Sequence, residues 1–119
     1  MNATTAAATT AKARSFADFW PRYVADHSRP ATRLLHAAGT IVSTVLAVAL
    51  VAQGRWRWFP AAFVVGYAAA WGSHFLIEHN RPATFSHPLW SLAADYKMLA
   101  LMLRGRMHDE AARIAGRKL

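Results

Sequence analysis

The chain has no cysteine among its 119 residues. This excludes a disulfide scaffold, thiolate zinc sites, iron–sulfur clusters and cysteine nucleophiles, so any metal here has only nitrogen and oxygen ligands. Acidic residues are scarce as well: 6 Asp and Glu stand against 14 Lys and Arg, for a formal charge of +8. Charged residues make up 17% and hydrophobic residues 55%, against about 25% and roughly 45–50% in ordinary soluble domains. So much apolar content excludes a disordered chain, and the length permits one compact domain. A small helical membrane protein or an unusually apolar soluble bundle remains.

The charges are also unevenly placed. Leu34 to Gly54 is a run of 21 residues without one, and Trp58 to Ile77 is a second run of 20. At ~1.5 Å per residue, each spans about 30 Å as a helix, the thickness of a hydrocarbon core. Pro60 falls in the first turn of the second run, where proline is tolerated. The short Gly54-Arg55-Trp56-Arg57-Trp58 link predicts an antiparallel hairpin. A soluble pair of buried core helices is the alternative. Small residues such as Gly66, Ala69, Ala70 and Gly72 permit close helix contacts, within the hairpin or between chains of a homodimer.

Basic residues orient the hairpin. Five precede it and seven follow from Arg81 onward, while its turn holds two, so both termini are expected on the cytoplasmic side. The +8 charge then reads as topology and contact with anionic membrane lipids. No nucleic-acid recognition motif accompanies it.

Residues 1–14 are Ala/Thr-rich and read as a disordered N-terminus. Ser15 with Asp18 resembles a capping box, opening a short aromatic helix through Phe16, Phe19, Trp20 and Tyr23, with Pro21 inside it. Asn80-Arg81-Pro82 breaks the second apolar run. A further helix begins near Pro88 and stops at Gly105, carrying Leu92, Tyr96, Leu99 and Leu103 at helical spacing. It is expected to lie in the interface or on the hairpin. Residues 108–119 form a basic C-terminal tail, either a surface helix or frayed. The echo of His27-Ser-Arg-Pro-Ala-Thr32 in His79-Asn-Arg-Pro-Ala-Thr84 is too short to argue duplication.

Ionisable residues at membrane depth are costly and point to function. His36 lies three residues inside Arg33, and His74 four before Glu78, so the hairpin brings both to one side at similar depth. His74 and Glu78 share a helix face. His79 would point elsewhere, and His27 could fold over the pair. Histidines with one carboxylate and no sulfur suit iron(II) or a similar first-row ion. The alternative is a set of interfacial histidines satisfied by water, phosphate or backbone; a bis-histidine haem would have little cover from two helices. His87 before Pro88 reads as a cap residue, and His108 as part of the polar tail.

Three blocks are similar to the Mpo1-like family of membrane proteins: Tyr23-Val-Ala-Asp-His27-Ser-Arg-Pro30-Ala-Thr-Arg33-Leu-Leu-His36-Ala-Ala-Gly39, Trp71-Gly-Ser-His74-Phe-Leu-Ile-Glu78-His-Asn-Arg81-Pro82-Ala83 and Pro88-Leu-Trp90-Ser-Leu. The resemblance covers Phe16 to about Met107. It implies an iron(II)-dependent dioxygenase that uses O2 to shorten 2-hydroxy long-chain fatty acids by one carbon, an α-oxidation. By position it implies His27, His36, His74 and Glu78 as metal ligands, with His79 in second rank. Arg29 stands where the family often has Asn. Arg33 or Arg81, near the expected site, could pair with the substrate carboxylate.

The expectation is therefore an all-α integral membrane hairpin flanked by amphipathic helices, with residues 15–107 as the membrane domain. It would sit in a bacterial inner membrane, or in the endoplasmic reticulum of a eukaryote. The competing function is a non-catalytic membrane lipid-binding or assembly protein with structural histidines.

Overall fold

The computed structural model describes residues 12–116. Residues 1–11 of the expected disordered start, and 117–119 of the tail, lie outside the described residues. Every regular element among the described residues is helical: α1 (Phe16–Asp26), α2 (Pro30–Ala52), α3 (Phe59–Ser73), α4 (Pro88–Leu103) and α5 (Met107–Ala115). Single 3-10 turns occupy Trp56–Trp58 and Ala83–Phe85, and a π turn, His74–Glu78, continues α3.

Local chemistry explains the helix starts. The Ser15 hydroxyl accepts the Asp18 N–H at 3.1 Å. The returning half of this box lands one residue early, because the Asp18 carboxylate accepts the N–H of Arg14 instead. Pro30, Pro60 and Pro88 open α2, α3 and α4 at positions whose N–H has no intrahelical partner to lose. Gly105 stops α4 in the left-handed region, at φ +68.

Helices α2 and α3 form the antiparallel hairpin, and they meet along small side chains. A Cβ added to Gly39 would come within 2.5 Å of the Ala69 Cβ, and one added to Gly66 within 3.1 Å of the Ser43 hydroxyl. Gly72 faces open space instead. The large apolar side chains point outward: Val45, Val64 and Leu76 are 63%, 68% and 78% exposed. Pro30–Ala52 and Trp56–Glu78 are long and apolar enough to cross a membrane, yet only 22% of each apolar window is buried. Core helices of a soluble bundle would be mostly buried, so that alternative does not describe this hairpin.

The remaining helices form a cap at the open end of the hairpin. Phe19, Trp20, Tyr23 and Val24 of α1 pack against Ala94 and Met98 of α4 and Met107 and Ile114 of α5. The Trp20 indole N–H donates to Glu110 at 2.9 Å, and Lys97 Nζ sits 4.3 Å above the same ring. The first part of the basic tail is thus a helix docked on α1. Helix α4 lies along the hairpin, with its Tyr96 hydroxyl 2.6 Å from Thr44 Oγ1 on α2.

Candidate metal centre

The cap and the hairpin meet at three histidines. His27 ends α1, His36 lies in the second turn of α2, and His74 opens the π turn after α3. All three are buried, and one ring nitrogen from each lies within 4.8 Å of the others. The His27 and His36 rings stack with centroids 4.7 Å apart, and His74 meets His27 edge-on at 4.4 Å.

Each ring has one nitrogen committed to an oxygen. His27 Nδ1 lies 2.6 Å from the Tyr23 carbonyl, which can only accept, so Nδ1 carries the hydrogen. His27 Nε2 is then a bare lone pair, buried without a hydrogen-bond partner. His74 Nδ1 lies 2.7 Å from Asn80 Oδ1, while the Asn80 amide nitrogen donates to the Asp26 carbonyl at 3.0 Å. That second bond sets the amide's orientation, so His74 Nδ1 is the donor. His36 Nε2 lies 3.1 Å from Asp95 Oδ1, which also accepts the Tyr23 hydroxyl at 2.6 Å.

Burial pushes the His27 pKa well below its ordinary value, with His36 and His74 adding to the effect. The ring is neutral, the state a metal ligand requires. Burial also pushes Asp95 up to about 7, against the opposing hydrogen bond from Tyr23. Neutral imidazoles, each oriented through its far nitrogen by a carbonyl, amide or carboxylate, are the usual surroundings of metal-binding histidines. The donor set fits a first-row divalent ion: nitrogen ligands, no sulfur, and a buried lone pair on His27 with no other partner.

Glu78 is beside this cluster but is occupied elsewhere. Helix α2 begins at Arg29 with no side-chain cap of its own. Glu78 supplies one from across the chain: its Oε1 accepts the Ser28 N–H at 2.8 Å, the Ser28 hydroxyl at 2.7 Å and the Arg29 N–H at 3.3 Å. Its Oε2 accepts the Thr32 hydroxyl at 3.0 Å. A carboxylate has about two acceptor sites on each oxygen, so Oε1 is fully used while Oε2 keeps one site, at a helix N-terminus that favours negative charge.

Arg33 is also buried, and its Nη1 donates to the carbonyls of His27 at 2.9 Å and Ser28 at 3.0 Å, tying the α1–α2 link. Arg81 is exposed, 5.4 Å above the Phe85 ring. His79 is exposed and adopts φ +59 as the residue that ends the π turn. His87 caps α4, accepting the Ala13 N–H at 3.2 Å, and His108 is exposed on α5.

The family model described as 2-hydroxy-palmitic acid dioxygenase Mpo1-like matches residues 13–107. The chain belongs to the Mpo1-like family. Neither a curated protein nor a solved structure matches it. The match to the Mpo1-like family ends at Met107, so it takes in the three histidines, Asp95 and Asn80 but leaves out nearly all of α5.

Three residues that complete the site went unrecognised in the sequence. Tyr23 read as one residue of a short aromatic helix and Asn80 as part of a helix break. Asp95 is the sole acid of α4, among mostly apolar neighbours. A lone acid with such neighbours was the available signal.

Proposed function

We propose that this protein is an iron(II)-dependent dioxygenase that shortens 2-hydroxy long-chain fatty acids by one carbon at a membrane surface. The observation that carries this reading is the buried trio of histidines, with His27 Nε2 left bare among them. His27, His36 and His74 would hold the metal. Bound iron would supply a place for O2 and the acid to meet and exchange electrons. One O2 balances the conversion of a 2-hydroxy acid to the shorter acid, carbon dioxide and water, so no external reductant is required.

The chain's own residues prepare the site. Tyr23, Asp95 and Asn80 keep the imidazoles in fixed orientations. Glu78 holds the start of α2, and with it His36, at the correct height beside His74. The stacked rings of Tyr23, His27 and His36 exclude water from one side. Arg33 would meet the substrate carboxylate through donors other than Nη1, which is bonded to backbone. The hairpin, with its outward Val and Leu side chains, would sit in the bilayer. The excess of basic residues beside the cap supports putting that end on the cytoplasmic side.

The test is direct. Detergent-purified protein, loaded anaerobically with iron(II) and given 2-hydroxypalmitate and O2, is expected to yield the acid one carbon shorter with one O2 consumed per turnover. Protein that holds no stoichiometric iron after loading would return the site to the structural-histidine reading.

A further inference from the structure

A groove leaves the histidine cluster and runs down the hairpin. Its head is formed by His36 and Asp95, and its cavity volume is about 180 Å3. Helix α2 lines it with His36, Thr40, Thr44 and Val48, spaced four apart along one face. Helix α3 lines it with Phe59, Ala62, Gly66 and Ala70, again one face. Leu92, Asp95 and Tyr96 of α4 cover the upper part. From His36 to Val48 the groove follows about 18 Å of helix, more than half of a hydrocarbon core.

Resting on the dioxygenase reading, we infer that this groove is the acyl-chain site and takes one unbranched chain, tail toward the Trp56–Trp58 turn. Three observations commit it to that occupant. First, its head is His36 with Asp95, so it adjoins the histidine cluster, and a molecule with its polar end beside His36 can extend down the hairpin from there. Second, the hydroxyls along it are already used. Thr40 and Thr44 donate to the carbonyls of His36 and Thr40, at 3.0 and 2.7 Å, and Ser43 to that of Thr40 at 3.1 Å. With its own hydrogen so committed, Thr44 accepts that of Tyr96. Apart from the Tyr67 hydroxyl, the wall below Asp95 therefore presents aliphatic and aromatic carbon surface with its donors already used, which suits hydrocarbon better than a headgroup or an ion. Third, 180 Å3 spread over that length accommodates one narrow chain and not a pair.

The small residues at Ala62, Gly66 and Ala70 have a double use. They let α3 approach α2, and they keep the groove clear. The Thr44–Tyr96 bond holds α4 against α2 at the point where the chain would pass from the acid head to the tail. Tyr96 is thus a positioning residue for the substrate, acting through the wall it closes.

The experiment uses the full chain in nanodiscs and a 2-hydroxypalmitate carrying a photoactivatable diazirine near the end of its tail. Adducts are expected on Val48, Phe59 and Phe63, competed by unlabelled 2-hydroxypalmitate. Ala62→Phe fills the groove, and labelling of these residues should fall roughly tenfold or more, the scale of one overpacked side chain. Ala62 is buried, so Val48→Trp provides a second block at a position 64% exposed that tolerates bulk. Both variants should keep the iron content of the parent. Adducts scattered over the outward residues Val45, Val64 and Leu76, or labelling unchanged in both variants, would overturn the groove. Groove labelling that persists in protein unable to hold iron would support the acyl site while removing the oxygenase.

Discussion

In the cap, the buried side chains are large: Phe19, Trp20, Tyr23, Met98 and Met107 are each less than 5% exposed. In the hairpin they are small, with Ala37, Ala62 and Ala70 inside and Val45, Val64 and Leu76 outside. Water explains the first arrangement, because burying large apolar surface is what drives helices together there. It does not explain the second. In lipid, the tails solvate leucine as well as a helix would, and close packing of small residues is what remains to hold two helices. The second pattern is the one lipid would require, in keeping with two helices long and apolar enough to cross a membrane. Their junction holds the histidines: His27 comes from the cap, His36 and His74 from the hairpin, and Asp95 from the cap helix that lies along it. Neither region has a metal site by itself.

The largest expected effect tests that junction. Replacing His36→Ala or His74→Ala should abolish iron binding, since two nitrogens cannot replace three in a buried site, whereas Glu78→Gln should leave it stoichiometric. The Glu78→Gln protein should instead lose about 1.5–3 kcal/mol of stability, the scale of hydrogen bonds made to a charged group. Metal analysis beside thermal unfolding in detergent separates the two. Iron lost from Glu78→Gln at unchanged stability would make Glu78 a ligand and its capping role secondary.

The contrast between the regions predicts a second pair of effects. Met98→Ala in the cap should cost about 2–5 kcal/mol, because it leaves a cavity in a packed core. Val45→Ala on the outer face of α2 should stay within about 0.5 kcal/mol, as for surface changes generally. Equal costs would mean that the outward face of α2 is buried in an assembly, and the lipid reading of the hairpin would give way to a protein interface.

Much of this architecture was legible in the residues. Charge-free runs of the right length, closed by Arg55 and Arg57, are enough to place a hairpin, because chain length and hydrocarbon thickness are tied by helix rise. The proline positions marked three helix starts, and Gly105 marked an end. His36 and His74 could be paired from register alone. Less accessible was everything that depends on which way a turn winds. The turn after α3 brings Glu78 against Ser28, Arg29 and Thr32 at the start of α2, partners that its spacing from His74 does not reveal. Asp95 lies 59 residues after His36 in the sequence. No local pattern links the two; only the docking of α4 along α2 does.

That docking sets the scale of the next prediction. Asp95→Asn preserves shape and weakens the acceptor that orients His36. Iron affinity should weaken by about 10–100-fold, the usual cost of losing a partner behind a metal-binding histidine. Competition with a chelator measures this while the fold stays intact. An unchanged affinity would show that Asp95 serves the cap's packing and not the metal centre.

The smallest effect concerns the residue that turns the hairpin's last helical segment back toward the cap. His79 holds φ +59, ψ +41, in a region where a side chain costs roughly 1–2 kcal/mol and which histidine enters more readily than most residues. Its ring is exposed, so the strain is not offset by packing. Glycine would relieve the strain but would gain freedom in the unfolded chain, and the two act in opposite directions. His79→Gly should therefore raise stability by only about 0.5–1 kcal/mol, with iron content unchanged. If iron content fell instead, His79 would belong among the ligands, and the turn would have to swing inward when metal binds. A rise in stability with iron retained would show that the turn joining the two regions is tuned by backbone conformation alone, and that the metal centre ends at His27, His36 and His74.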